Sequence, residues 1–267
     1  IFRRGATWET VTFRQLFERS EQLARGLSAL GLRTGQRAAL MSPPSVDFFA
    51  LAFALLKTGI VPVMVDPAIG LANVTACINE SQPEIFIGNA LTHALRKIYG
   101  GGNETVKHNI SIASVERLTY NVQRSTSSTN PSSPAAIIYT SGSTGLPKGA
   151  IYTHENFAAQ LDMLRAIFDI REDEIDLPAF PLFALIDILL GVTSVIPDMR
   201  FPPPAKVDPA KLTDAILRFN VTNMFASPIM LDHVANYALA QKLHLPSLKR
   251  VITAGAPAPV KVLEQTA

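Results

Sequence analysis

The chain has 267 residues, 48% of them hydrophobic and 17% charged, and a formal net charge of +2. This is enough apolar material for a sizeable core, while so slight a charge, carried by scattered Lys and Arg, excludes the basic footprint of a nucleic-acid binder. A single cysteine, Cys77, excludes an internal disulfide framework, suits a reducing compartment and is expected to pack in a helix.

In chain order, Thr12-Phe13-Arg14-Gln15 reads as a capping box, and Leu16, Leu23, Leu27 and Leu30 mark one helical face that Gly31 ends. A strand over Ala38–Met41 follows. Ser45 caps an apolar helix to about Lys57, and a strand over Val61–Val65 runs into Asp66-Pro67. A helix over Leu71–Ser81 and a strand over Ile85–Gly88 complete a rhythm that predicts a parallel sheet covered by helices on both faces. From Gly100 to Ser133 the chain is rich in Gly, Asn, Ser and Thr and reads as an irregular connection, with a short apolar piece around Ile110–Val115.

A buried strand over Ala135–Tyr139 comes next, then a polar loop, then apolar Ala150–Tyr152. Thr153 caps a helix whose Phe157, Leu161, Leu164 and Phe168 share a face. Asp208-Pro209 and Ser227-Pro228 are helix starts, with a strand over Asn223–Ala226 between them and another at Val251-Ile252. The apolar region Leu177–Ile196 is interrupted by Asp187 and broken by Pro178 and Pro181; it reads as core, since a membrane span needs about 20 clean residues. No secretory leader pattern opens the sequence, so a cytoplasmic protein is expected, and the Asn-x-Ser/Thr triplets at Asn73, Asn79, Asn103, Asn109 and Asn220 then carry no meaning.

The loop between the two strands holds the most informative residues. Thr140, Ser141, Ser143 and Thr144 can donate hydroxyl hydrogen bonds to phosphate oxygens, Gly142, Gly145 and Gly149 allow backbone N–H groups to approach closely, and Lys148 adds a positive charge. A flexible Ser/Gly linker is the plain alternative, which the apolar flanks oppose. A Walker-type loop fails at Pro147 and Gly149, where it needs a glycine and a hydroxyl residue. A hydrolase nucleophile elbow centred on Ser143 fails at Ser141, where its first glycine belongs. His93, His108, His154, His233 and His244 show no metal-ligand spacing, so no metal ligands are assigned; His154 sits at a helix start, and Asp187 reads as a helix cap before Ile188.

Position by position, Thr140–Gly149 resembles the signature loop of the adenylate-forming, AMP-binding superfamily of acyl-CoA synthetases, luciferases and peptide-synthetase adenylation domains. Thr253-Ala254-Gly255-Ala256-Pro257 resembles that superfamily's Gly-Ala-Pro turn. The resemblance implies a layered α/β N-terminal domain with mostly parallel sheets, read here as a first subdomain over 1–133 and a second over 134–267. It implies ATP and Mg2+ as cofactors, with Thr140, Ser141, Gly142, Ser143, Thr144, Gly145 and Lys148 on the polyphosphate. By the same resemblance, Lys148 is expected also to stabilise the transferring phosphate, and Gly255, Ala256 and Pro257 to lie against adenine.

Family members carry a Tyr-Gly-x-Thr-Glu segment whose acid helps hold magnesium, a ribose-binding aspartate and a mobile domain with a catalytic lysine. All of these are expected beyond Ala267, so the chain alone is expected not to turn over. Thioester-forming relatives often place an aromatic residue or histidine after Pro-Leu-Phe; here Pro181-Leu182-Phe183 is followed by Ala184. With Pro62–Pro67 and Phe225–Pro228, the wording looks most like the β-lactone synthetases of bacterial olefin biosynthesis. The implied substrate is a fatty-acid-type carboxylate, in particular a 2-alkyl-3-hydroxy acid, and association with other lipid-pathway enzymes fits the same resemblance. Ala184 and Leu185 then border an acyl pocket, with plain core packing the equal alternative. A long-chain acyl-CoA ligase and a non-catalytic nucleotide-binding remnant are the alternative functions.

Overall fold

A computed structural model of the chain describes residues 1–4, 7–117, 130–140, 147–197 and 206–266. It divides into two compact units, residues 12–160 and residues 1–11 with 161–267. The chain begins in the second of these with an antiparallel pair, β1 (Phe2–Arg4) and β2 (Thr7–Glu9).

The unit over residues 12–160 holds α1 (Phe13–Ala29), β3 (Arg37–Met41), α2 (Val46–Thr58), β4 (Val61–Met64), α3 (Leu71–Ser81) and β5 (Ile85–Gly88). It continues with α4 (Ala90–Tyr99), β6 (His108–Ile110), α5 (Ile112–Arg117), β7 (Pro134–Thr140) and β8 (Lys148–Thr153). The capping box at α1 forms as the sequence predicts, with the Gln15 amide donating to Thr12 Oγ1 at 3.2 Å and the Thr12 amide to Gln15 Oε1 at 2.9 Å. Helix α2 starts on Ser45 Oγ, which accepts from the Phe48 amide at 3.1 Å, and buries Phe48, Phe49, Ala50, Leu51, Ala52, Ala54 and Leu55. A helix apolar on nearly every side has to sit inside the fold.

The six strands run in the order β6-β5-β3-β4-β7-β8. All neighbours are parallel except β7 and β8. Strands β4 and β5 are buried along their whole length, which is why their sequences read as unbroken apolar runs. Val61, Val63, Val74, Ile78, Phe86, Ile137 and Tyr139 form the core, with Cys77 packed among them from α3 as its sequence context suggests.

Three features depart from the sequence reading. Strand β7 pairs with β4, Val63 opposite Ile137 and Met64 opposite Ile138, so the division drawn at 133/134 falls inside this unit, and the β7–β8 hairpin extends the first sheet. Helix α4 went unread, although Asn89 and Thr92 cap it reciprocally, each backbone amide 2.9 Å from the other's side-chain oxygen. The stretch read as irregular contains β6 and α5.

Helix α6 (His154–Phe168) runs across the division of the chain; Thr153 and Asn156 cap it reciprocally, at 3.2 and 3.0 Å. The second unit continues with β9 (Ile175–Pro178), α7 (Ala184–Leu190), β10 (Thr193–Ser194), α8 (Pro209–Phe219), β11 (Asn223–Ala226), α9 (Pro228–Ala240), β12 (Arg250–Thr253) and α10 (Val260–Thr266). Its sheet has the order β10-β9-β11-β12 and is parallel throughout. Leu177, Val195, Leu212, Ile216, Val221, Met224, Leu231 and Val234 fill the space between sheet and helices. The N-terminal pair joins this unit: the Arg3 amide donates to Ile196 O at 3.1 Å, and Trp8 meets Phe219 edge-on at 4.7 Å between ring centroids.

Candidate functional site

In the first unit, the signature loop is the connection of the β7–β8 hairpin. Register places Thr140 opposite Lys148 and Tyr139 opposite Gly149, so both loop ends lie at the carboxyl edge of a largely parallel sheet. Ligands of doubly wound sheets bind at that edge. Ser141, Gly142, Ser143, Thr144 and Gly145, and the side chain of Thr140, lie outside the described residues. Pro147 is buried while Lys148 is exposed, which leaves the ammonium free to meet an anion.

Gly149 is required by what lies across from it. A Cβ there would stand 2.9 Å from Tyr139 Cζ and 3.2 Å from both Tyr139 Oη and Ile137 Cγ2. The Tyr139 ring covers the glycine of the neighbouring strand, a pairing that compensates for the missing side chain. Burial pushes the Tyr139 phenol well above its usual range, and the negative charge of Glu80 adds to the shift. The phenol is therefore neutral.

In the second unit, the corresponding carboxyl edge carries the other motifs. Strand β12 runs into the exposed turn Ala254, Gly255, Ala256 and Pro257. Gly255 has φ +96° with no heavy atom near its absent Cβ, so backbone conformation and not crowding selects glycine there. Strand β9 runs into Ala179 and Phe180, and its edge is continued by the Ala179 amide donating to Phe225 O at 2.8 Å. Phe183 lies against Phe225 at 4.1 Å between centroids and against Phe180 at 5.7 Å, making an aromatic cluster at the ends of β9 and β11. Ala184 is fully buried and Leu185 half-buried.

Two hydroxyls at this edge lack partners among the described residues. Ser227 Oγ and Thr253 Oγ1 are buried without a hydrogen bond, and they follow or end adjacent strands, Ala226 being opposite Thr253 in register. Ser227 starts α9 in an extended conformation, but its side chain makes no cap bond. A buried hydroxyl without a partner is costly, so these two oxygens are suited to a ligand's polar atoms.

Asp187 is not a helix cap. It lies within α7, buried, and accepts a very short hydrogen bond from Ser194 Oγ. Its neighbour is Asp176 of β9, also buried and opposite Ser194 in the β9–β10 register. Burial pushes Asp176 up to about 7, and burial together with the adjacent Asp176 pushes Asp187 well above the carboxylate range. Sequence reasoning missed Asp176 and Ser194, read Asp187 as a cap, and took Ser227 only as a helix start and Thr253 only as the first residue of the turn motif. The available signal was a carboxylate inside the apolar strand Ile175-Asp176-Leu177, because a strand buried on both faces offers no solvent-facing side.

His154 is the first residue of α6 and half-buried; the cap itself is made by Thr153 and Asn156. His93 Nε2 lies 3.1 Å from Ile110 O, a structural contact. Among the described residues no three His, Cys, Asp or Glu side chains come together as a metal site, and no helix is long and apolar enough to cross a membrane.

The chain matches the AMP-binding enzyme family over residues 1–267. It is 41% identical over 264 residues to the olefin beta-lactone synthetase of Stenotrophomonas maltophilia, covering 95% of this chain and 47% of that protein, and equally to its namesake from Xanthomonas campestris pv. campestris. It thus spans about half the length of these curated relatives. Among solved structures, it resembles the N-terminal domain of FACL13 from Mycobacterium tuberculosis with a TM-score of 0.80 at 24% identity, over 96% of this chain and 66% of that one. It also resembles o-succinylbenzoate coenzyme A synthetase (MenE) from Bacillus subtilis in complex with AMP, with a TM-score of 0.81 at 22% identity, over 99% and 52%. Those two likenesses establish the α/β fold, and with the family match over its whole length the chain belongs to the AMP-binding enzymes.

Proposed function

We propose that the protein carrying this chain activates a fatty-acid-type carboxylate with ATP, releasing pyrophosphate to form an acyl-adenylate. The favoured substrate is a 2-alkyl-3-hydroxy acid whose own hydroxyl displaces AMP and closes a β-lactone. The observation that carries the activation step is the β7–β8 hairpin, with Thr140 and exposed Lys148 paired at the two ends of a loop of hydroxyls and glycines. The donor set suits a polyphosphate: a cation at the mouth, and at Gly149 a strand position where a Cβ would crowd Tyr139. Magnesium would supply further charge neutralisation at the phosphates, and no cluster among the described residues is assigned to it.

A carboxylate is a poor electrophile. Attack of its oxygen on the α-phosphorus breaks the bond to the β-phosphate, and the charge that develops on pyrophosphate falls where Lys148 and the loop donors offset it. The Gly255–Pro257 turn would receive adenine at the edge of the second sheet. Phe180, Phe183 and Phe225 offer an apolar surface to the acyl chain at the same edge, with Leu185 half-exposed beside them.

The second half of the reaction is read from Ala184 and the 41% identity to olefin beta-lactone synthetases. A hydroxyl already tethered to the substrate needs no thiol, and its proximity is worth effective molarities that reach about 10⁵ M in favourable systems, less the strain of a four-membered ring. The whole protein, given ATP and a 2-alkyl-3-hydroxyalkanoate without coenzyme A, is expected to yield lactone and AMP by mass spectrometry. Acyl-CoA from an unsubstituted fatty acid, with no lactone from the hydroxy acid, would move the protein to the ligases.

A further inference from the structure

Asp176 and Asp187 are each only 8% exposed, on β9 and α7 respectively, and Ser194, which lies opposite Asp176 in the β9–β10 register, donates to Asp187, so the two carboxyl groups meet beside one hydroxyl. Two carboxylates cannot share such a contact while both are ionised and dry, because mutual repulsion adds to the cost of burial. Among the described residues no cation forms an ion pair with either carboxyl, although the charge of Arg250 favours ionisation of Asp176 from a distance. Arg250 of β12 donates to both oxygens of Glu174 at 2.8 and 3.2 Å and to Asn223 Oδ1 at 2.8 Å, so its charge is already taken, while Glu174 adds another negative charge beside β9. Arg165 of α6 donates to Leu190 O at 3.3 Å, and the Ile1 ammonium to Ser194 O at 2.7 Å. Ser194 contributes a neutral donor to Asp187 from β10.

We propose that one proton bridges Asp187 and Asp176, and that the chain Ser194–Asp187–Asp176 is a latch that holds helix α7 against β9 and β10. The proton lies between Asp187 and Asp176, and Asp187 also accepts from Ser194. Every member of the chain then has a partner, which is the condition for a buried polar network to hold its surroundings in one arrangement. Helix α7 follows directly from Phe180–Phe183, so the latch also sets where the aromatic cluster stands at the end of β9. Asp176 and Asp187 are positioning residues in this scheme. Only their link to acyl binding rests on the function proposed above.

Infrared difference spectroscopy on the 267-residue chain in heavy water tests the latch without any turnover. At neutral pH the wild type minus Asp187→Asn is expected to show the C=O stretch of a protonated carboxylic acid, and Asp176→Asn should perturb the same band. Ser194→Ala, which keeps both acids, should shift the band without removing it, and serves if an Asn variant fails to fold. Absence of a protonated-acid band from the wild type at neutral pH would overturn the proposal. In the whole protein, Asp187→Asn should raise KM for the acyl substrate at least five-fold while leaving KM for ATP within two-fold; equal changes in both would show that α7 does not govern the acyl side. A band present in a protein that fails to activate carboxylates would sink the functional reading and leave the latch standing.

Discussion

The ring of Tyr139 lies across Gly149 on the neighbouring strand, so close that a methyl group at Gly149 would stand 2.9 Å from Tyr139 Cζ. This cross-strand pair sits immediately behind Thr140 and Lys148, the two ends of the signature loop. Gly149→Ala should therefore destabilise the chain by about 1–3 kcal/mol through overpacking, or roughly 2–9 °C in Tm. Tyr139→Ala made together with Gly149→Ala should cost less than the sum of the single changes, since the second removes the ring that the first collides with. Additive values in a thermal-unfolding double-mutant cycle would show that the contact does not govern this position.

Lys148 is the exposed charge at the mouth of the hairpin. If it serves the departing pyrophosphate, Lys148→Ala in the whole protein should lower kcat/KM for ATP by 10-fold or more, on the order of 1.4 kcal/mol or above, and leave the affinity for a non-hydrolysable acyl-adenylate analogue nearly unchanged. Equal losses for both ligands would place Lys148 on the adenosine or in a structural role.

Asp176 makes stability depend on pH in a definite direction. Its ordinary value of 3.8 is pushed up to about 7 by burial, so the folded state binds the proton more tightly than the unfolded chain. The associated stability is complete below about pH 4 and is lost as pH rises toward 7. Denaturant unfolding of the chain from pH 5 to pH 8 should show a falling midpoint. In Asp176→Asn the decline should be markedly shallower; an unchanged slope would mean that another group is responsible.

Glu174 opposes this from the acid side. Burial works against its ionisation, but hydrogen bonds from Arg250 and Asn223 outweigh that and hold the carboxyl below its usual 4.5. Stability from this group is present above pH 4.5 and is lost as pH falls through the lower folded value. Arg250→Ala leaves Glu174 and Asn223 without their common donor and should cost about 2 kcal/mol, measured by chemical denaturation at pH 6. Glu174→Gln in the Arg250→Ala background should recover part of the loss, because the uncompensated charge is then gone.

Much of this molecule is legible in one dimension. Apolar runs bounded by capping residues and glycines locate β3, β4, β5 and β11, as well as α1, α2 and α3, because local propensity and binary pattern agree there and the strands are buried on both faces. The signature loop is legible because phosphate recognition needs hydroxyls, glycines and a lysine at fixed spacing along a single segment. What the sequence could not express is which distant segments meet. The N-terminal strands pair next to Ile196, and β7 joins β4 across an intervening stretch read as irregular, so the boundary of the first unit lies beyond the hairpin at residue 160. Asp187 looks like a cap in sequence because a lone Asp before Ile commonly is one. Only the packing of α7 on β9 and β10 brings it to Asp176 and Ser194, and the low polarity of that interior, a property of tertiary burial alone, turns an ordinary acid into one that holds its proton.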